Sequence, residues 1–204
     1  FSLGQLEGSI AAPIVGFLID KFGGKRVSLS GAFVASVGFV CLSRTFPYTP
    51  EVSVWNDALV FYAAYVLIML GVTLGGWIPM TVIINNWFEK RRSLAMAVGS
   101  VGFSIGTFAI VPLLAFLITP ETLGWRSTAI LVSFVFLFVA LPIWKIIKNN
   151  PEEIGEIPDG RKSVNIEVGT NTIQTYLKSD PDFTITEALR EKVFWIISVG
   201  HGAS

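Results

Sequence analysis

Charged positions along the chain are separated by long runs that carry no charge. The uncharged runs are 8–19, 27–43, 58–88, 93–120, 127–144 and 193–204. A helix crossing a hydrocarbon core of ~30 Å needs about 20 mostly apolar residues. Runs 58–88 and 93–120 exceed that length, and 27–43 and 127–144 reach it with their flanks. Run 8–19 reaches it when residues 3–7 are included, which puts Glu7 in or near an interface. Water is absent from the bilayer core, so each segment must satisfy its own backbone hydrogen bonds, and helix is the natural solution. The pattern predicts an all-α, polytopic helical membrane protein with helices over about 3–22, 27–46, 58–87, 93–118 and 126–147. Residues 191–204 read as the start of a further membrane helix, since the apolar run there stops after twelve positions. Apolar segments recur along the whole length, which is not the pattern of a signal peptide. The chain opens on Phe1 rather than methionine, directly at an apolar segment, and is expected to be a piece of a larger protein.

Composition agrees. Of 204 residues 52% are hydrophobic and 15% charged, where about 25% charged is usual for a soluble domain. Fifteen basic residues balance fifteen acidic ones, so nothing in the net charge calls for nucleic acid. Cys41 is the only cysteine and His201 the only histidine. A disulfide framework and a thiol or histidine-cluster metal site are thereby excluded. No cofactor is expected. His201 alone is thin support for a proton relay.

Lysine and arginine set the orientation. The link after the first helix carries Lys21, Lys25 and Arg26, that after the third Lys90, Arg91 and Arg92, and the fifth helix is followed by Lys145 and Lys148. The other side carries Arg44 and Arg126 only, and Arg126 reads as an interface anchor. Eight against two places the Lys/Arg-rich side, with residues 20–26, 89–92 and 149–190, in the cytoplasm of a cell-membrane protein. Tyr48, Trp55 and Trp125 then fall at the outer boundary, Trp87 and Trp144 at the inner.

Residues 149–190 differ in kind. Twelve of these 42 are charged, against 16 of the 148 before them, and Pro151, Gly155, Pro158, Gly160 and Gly169 interrupt them. They read as a cytosolic linker, partly disordered. Thr184 and Glu187 fit a capping box that would start a helix near Ile185; an unstructured tether is the other reading.

The turn from the first helix to the second is the most informative stretch. It reads Gly16, Leu18, Asp20, Lys21, Gly23, Gly24, Lys25, Arg26 at their positions in a very tight link. Paired glycines permit the turn. A basic inner loop accounts for the cations but not for Asp20, an acid at a helix C-terminus that the helix dipole disfavours. The stretch resembles the signature loop of the major facilitator superfamily, G-x-L-x-D-[RK]-x-G-[RK]-[RK], departing from it at Gly24. The segment Trp87 to Ala95, the triplet Gly124, Trp125, Arg126, and the linker opening Asn150, Pro151, Glu152, Glu153, Ile154, Gly155 are similar to the oxalate:formate-antiporter and monocarboxylate-transporter branch. The resemblance covers the whole chain. It implies that residues 1–148 are family helices two to six of the N-terminal six-helix bundle, that 149–190 join two halves, and that 191–204 begin helix seven. It also implies a latch at the cytosolic face in the outward-open state, with Asp20 as the latch acid and Glu89, Arg91 and Arg92 as partner candidates.

Two helices carry polar or small residues at mid-depth. Thr73, Trp77, Thr81 and Asn85 are spaced by four and stay on one side of the third helix. Trp77 lies ~15 Å from Trp87, away from the interfaces Trp prefers. It follows Gly75 and Gly76 and precedes Pro79, so the helix is expected to be kinked or loosened there. Two readings stand: a substrate-facing wall, or a Trp packed on a neighbouring helix. The fourth helix carries Gly99, Gly102 and Gly106 with Ser100, Ser104 and Thr107 beside them. Close helix packing through the glycines is one reading, a sliding interface the other; Ser100 and Ser104 join Thr73, Trp77, Thr81 and Asn85 as substrate-pathway candidates. It lacks the G-P-x-x-G-G run of proton-coupled drug antiporters.

The resemblance implies a secondary transporter working by alternating access on a small solute, with a proton or a counter-substrate as driving partner. The branch points to a small organic anion such as a mono- or dicarboxylate, by proton symport or antiport. No Lys or Arg of this chain sits at mid-depth to pair it, which leaves efflux or a neutral solute open. A non-transporting receptor or scaffold on the same fold is the alternative of another class. A membrane enzyme would need a catalytic constellation within the bilayer, and none is present in this sequence.

Overall fold

The computed structural model describes residues 2–45, 54–159, 164–168, 171–175 and 190. They fall in two units, Phe1–Gly160 and Arg161–Ser204. The first contains α1 (Ser2–Phe22), α2 (Gly24–Arg44), α3 (Val54–Gly75), α4 (Trp77–Trp87), α5 (Arg92–Leu117), α6 (Gly124–Ile146) and a 3-10 turn at Pro151–Ile154. The segments 24–44, 58–87, 92–117 and 124–146 are each long and apolar enough to cross a membrane. At 21 residues α1 matches them in length, about 31 Å. Apart from the ends at Gly75 and Trp77, each helix boundary lies within four residues of the expected one.

The expected single helix 58–87 is two helices. Pro79 has no N–H to give to Gly75, so an unbroken ladder cannot run through it. The chain breaks at Gly76 (φ −91, ψ −130) and restarts at Trp77. Pro79 then lies in the first turn of α4, where an N–H would have no partner in any case.

The centre of the bundle is α2, which packs on α1, α3, α4 and α6. Its contact with α3 is made backbone to backbone. A Cβ at Gly31 would strike Gly71 O and Gly75 Cα at 2.7 Å, and one at Gly71 would strike Ala35 Cα at 2.6 Å. Gly38 sits against Ile68 in the same way. Small residues are what allow such an approach in lipid, where apolar side chains gain nothing by leaving the hydrocarbon. On its other side α2 meets α6 through a buried hydrogen bond, Ser36 Oγ to Ser133 Oγ at 2.8 Å, and stacked rings, Phe39 on Phe136 at 5.7 Å. Val15, Ile19, Val27 and Leu74 form the buried cluster where α1, α2 and α3 meet, and Ile78 and Val82 of α4 pack against it. At the Arg44 end, Arg126 lies 5.0 Å from the Trp125 ring and donates to Thr45 O, the carbonyl closing α2, at 3.3 Å. No residue of α5 is buried.

In the second unit β1 (Val164–Val168) pairs antiparallel with β2 (Asn171–Thr175), Ile166 opposite Ile173. The segment expected as a partly disordered linker thus contains a two-stranded hairpin. The alternation of Val164, Ile166 and Val168 with polar residues is the signal for it. The Thr184–Glu187 cap and the helix start at 191–204, with His201, lie outside the described residues, as do Tyr48 and the side chains of Glu7 and Trp55.

Candidate functional site

Asp20 stands in the last turn of α1 and is exposed. Lys21 beside it lies over the Phe22 ring at 5.3 Å. The turn that follows is as short as a helix link can be: Gly23 alone separates α1 from α2. Its N–H still donates to Ile19 O at 2.8 Å, closing the first helix, and its carbonyl accepts from Val27 at 3.3 Å, opening the second. Serving both ends requires φ +84, a conformation that glycine accepts without strain. Gly24 is buried, with Ile83 of α4 at 3.0 Å from where its Cβ would be; the base that the signature usually has at this position would not fit. Lys25 is half-buried and Arg26 exposed. Gly16, one turn before Asp20, faces open space.

The neighbouring turn, 88–91, presents Glu89, Arg91 and Arg92. Arg91 and Arg92 are exposed, and Arg92 Nε donates to Phe88 O at 3.4 Å. Among the described residues Asp20 meets neither arginine in an ion pair.

Both turns are held by residues that sequence reasoning did not single out. Asn149 Oδ1 accepts the Lys25 N–H at 2.8 Å. The carboxylate of Asp159 accepts the N–H groups of Glu89, Lys90 and Arg91 at 2.6, 3.1 and 3.0 Å. These contacts join positions 124 and about 70 residues apart. No local periodicity announces them; the only cue is an Asn and an Asp, good helix caps, just past the last membrane helix.

The break between α3 and α4 opens onto a cavity of about 680 Å³. Gly75, Gly76, Trp77 and Met80 line it from the break, Ser28 from α2, Phe103 from α5 and Ile143 from α6. Among the described residues Ser28 is the one hydroxyl in the lining, the Trp77 indole the other polar group, and no Lys or Arg contributes. Trp77 is 50% exposed. The rest of the expected stripe stays out of this lining. Thr73 and Thr81 return their hydroxyls to Met69 O and Trp77 O at 2.9 and 2.8 Å. Asn85 Oδ1 is buried with no hydrogen-bond partner among the described residues.

On α5, Gly99 packs against Met80 of α4, while Gly102 and Gly106 have nothing within 4 Å. Ser100, Ser104 and Thr107 are exposed, and each hydroxyl bonds the carbonyl four residues earlier, at 3.0 Å. The backbone-close helix packing of the described bundle is therefore between α2 and α3, through Gly31, Gly38 and Gly71.

Comparison with known proteins supplies the relationship. The chain is 30% identical over 143 residues to the uncharacterized MFS-type transporter YcxA of Bacillus subtilis, covering 70% of this chain and 32% of that protein. It is 29% identical to human monocarboxylate transporter 7 over 65% of this chain and 23% of the relative. An MFS-type transporter of Aspergillus fumigatus is 27% identical over 95% of this chain and 41% of its own length. The chain thus spans less than half of each of these relatives. No solved structure gives a significant match. The family model described as Major Facilitator Superfamily matches residues 1–203. With its apolar, membrane-length helices, the chain belongs to the major facilitator superfamily, a multi-pass membrane protein family.

Proposed function

We propose that the protein is a secondary active transporter that moves a small organic anion, a monocarboxylate in the first instance, across the cell membrane by alternating access. The observation that carries this reading is the broken helix. Gly75, Gly76 and Trp77 open a 680 Å³ cavity among membrane-length helices, and irregular backbone at membrane depth is tolerated where it lines a cavity. The anion class is supported by relatives named monocarboxylate transporters. On this reading the cation that pairs the carboxylate sits outside the lining described above, and the substrate's hydrocarbon part rests against Trp77 and Phe103. The Lys/Arg-rich end faces the cytoplasm. There Asp20 alternately gains and loses a partner as the halves rock, its exposure and the nearby Arg91 and Arg92 leaving it available for one. A proton or a counter-substrate drives the cycle. The apolar lining favours a second reading, in which the solute is neutral.

The test is uptake by the full-length protein in proteoliposomes. Labelled monocarboxylates should accumulate down an imposed pH or counter-anion gradient. Uptake of neutral solutes alone would select the second reading, and no uptake across a broad panel would refute transport. Asp20→Asn should insert normally and transport slowly; unchanged transport removes the latch role.

A further inference from the structure

Helix α2 begins without a cap of its own. Gly23 is its N-cap and has no side chain to offer, yet the first N–H groups of a helix have no partner within it. Asn149 supplies the missing acceptor, its Oδ1 taking the Lys25 N–H at 2.8 Å. The fit is reciprocal: a Cβ on Gly23 would overlap the Asn149 amide at 2.8–2.9 Å. Asparagine is among the best N-capping residues, and here it acts from 124 positions away. Helix α5 begins in the same condition, with no side-chain cap at Arg91. Asp159 caps the turn that leads into it, gathering the N–H groups of Glu89, Lys90 and the N-cap residue Arg91, and an anion beside a helix N-terminus also suits the helix dipole.

The segment carrying both caps is itself braced. Asn86 Nδ2 donates to Asn149 O at 3.2 Å and to Asn150 Oδ1 at 2.9 Å, and Trp87 Nε1 donates to Lys148 O at 3.0 Å. Asp159 N donates to Trp87 O at 3.3 Å, and Lys90 N returns to Asp159 O at 3.2 Å. Pro151 and Pro158 are buried. Gly155, at φ +76, closes the 3-10 turn between the two caps.

We propose that Asn149 and Asp159 are positioning residues of the transport cycle: together they clamp the α1–α2 and α4–α5 turns into one rigid unit. The unit presents Asp20 and Arg26 on one turn and Arg91 and Arg92 on the other in fixed register. The inference rests on the transporter reading above. Every bond of the clamp to the turns is to main chain, so it sets where the backbone stands and does not itself occupy the side chains of Asp20, Arg26 and Arg91.

The experiment uses the full-length protein in lipid nanodiscs for hydrogen exchange and in proteoliposomes for transport. Asn149→Ala should speed exchange of the amides at 24–26 roughly tenfold, the loss of one hydrogen bond, without affecting 89–91. Asp159→Ala should do the reverse. Each should lower turnover several-fold with KM unchanged. Asn149→Asp keeps the acceptor and should restore both readouts; Asn149→Ser, too short to reach, should behave as alanine and covers the case in which alanine fails to insert. Wild-type exchange in either alanine variant overturns the clamp. Faster exchange with unaltered turnover, a change confined to KM, or no rescue by aspartate overturns its positioning role. An inert wild type would sink the transporter reading and with it the role in transport, whereas the exchange arm judges the clamp by itself.

Discussion

Placing one methyl group on Gly31 tests the backbone-to-backbone contact of α2 and α3. The new Cβ would meet Gly71 O and Gly75 Cα, each at 2.7 Å, and neither is the end of a flexible side chain. Gly75 N is nearer still, so to restore ordinary contact at 3.4 Å the helices must part by about 1 Å. That separation loosens the Gly38–Ile68 and Gly71–Ala35 contacts along the same seam. Overpacking of this kind costs about 1–3 kcal/mol, against which the better helix propensity of alanine returns up to about 1 kcal/mol. Because every atom struck is backbone, the upper part of that range, about 2–3 kcal/mol, applies; the net of about 1–2 kcal/mol should lower the folded-to-unfolded ratio by roughly 5- to 30-fold. Reversible unfolding of the full-length protein in mixed micelles measures it. Gly71→Ala should cost as much, and Ala35→Gly should relieve part of that cost, because Ala35 Cβ is one of the atoms struck. A Gly31→Ala protein as stable as the parent would refute this packing of α2 on α3.

Ser36→Ala leaves the Ser133 hydroxyl buried without its partner and should cost about 1 kcal/mol in the same unfolding assay; the double alanine variant should recover most of it, and strict additivity would deny the bond. Trp77→Cys, in a background with other cysteines removed, should react with a small water-soluble thiol reagent in at least one conformation, whereas Ala35→Cys, fully buried, should not; equal reactivity at both would argue against the cavity. Asn86→Ala removes two of the braces on the 148–150 segment and should speed exchange at Lys25 less than loss of Asn149 does; an effect as large would make the brace, not the cap, the determinant.

The helices were legible because lipid leaves the chain so little choice: uncharged runs of the right length must be helical. The break at Gly76 was legible in outline, since two glycines followed by Pro79 cannot continue a ladder. The tight packing of α2 on α3 was not. Gly31, Gly38 and Gly71 are spread over two helices with unlike spacings, while Gly99, Gly102 and Gly106 stand conspicuously together. Of those three only Gly99 touches another helix among the described residues. The Asp20 turn could be read because its chemistry is local: an acid, two glycines and three bases within seven positions. Asn149 and Asp159 could not, because their partners are main-chain groups, which look alike at every position. For the same reason the polar stripe was only half informative: spacing by four shows which residues share a side of a helix, not that Thr73 and Thr81 spend their hydroxyls on their own backbone.

The outward hydroxyls of α5 behave alike. Ser100, Ser104 and Thr107 each already have an acceptor one turn back within their own helix. A surface furnished in this way asks nothing of whatever comes to lie opposite it. A neighbour can arrive, shift by a turn or withdraw without stranding one of these donors in oil. As far as hydrogen bonding goes, such a face favours no one setting of a neighbour over another.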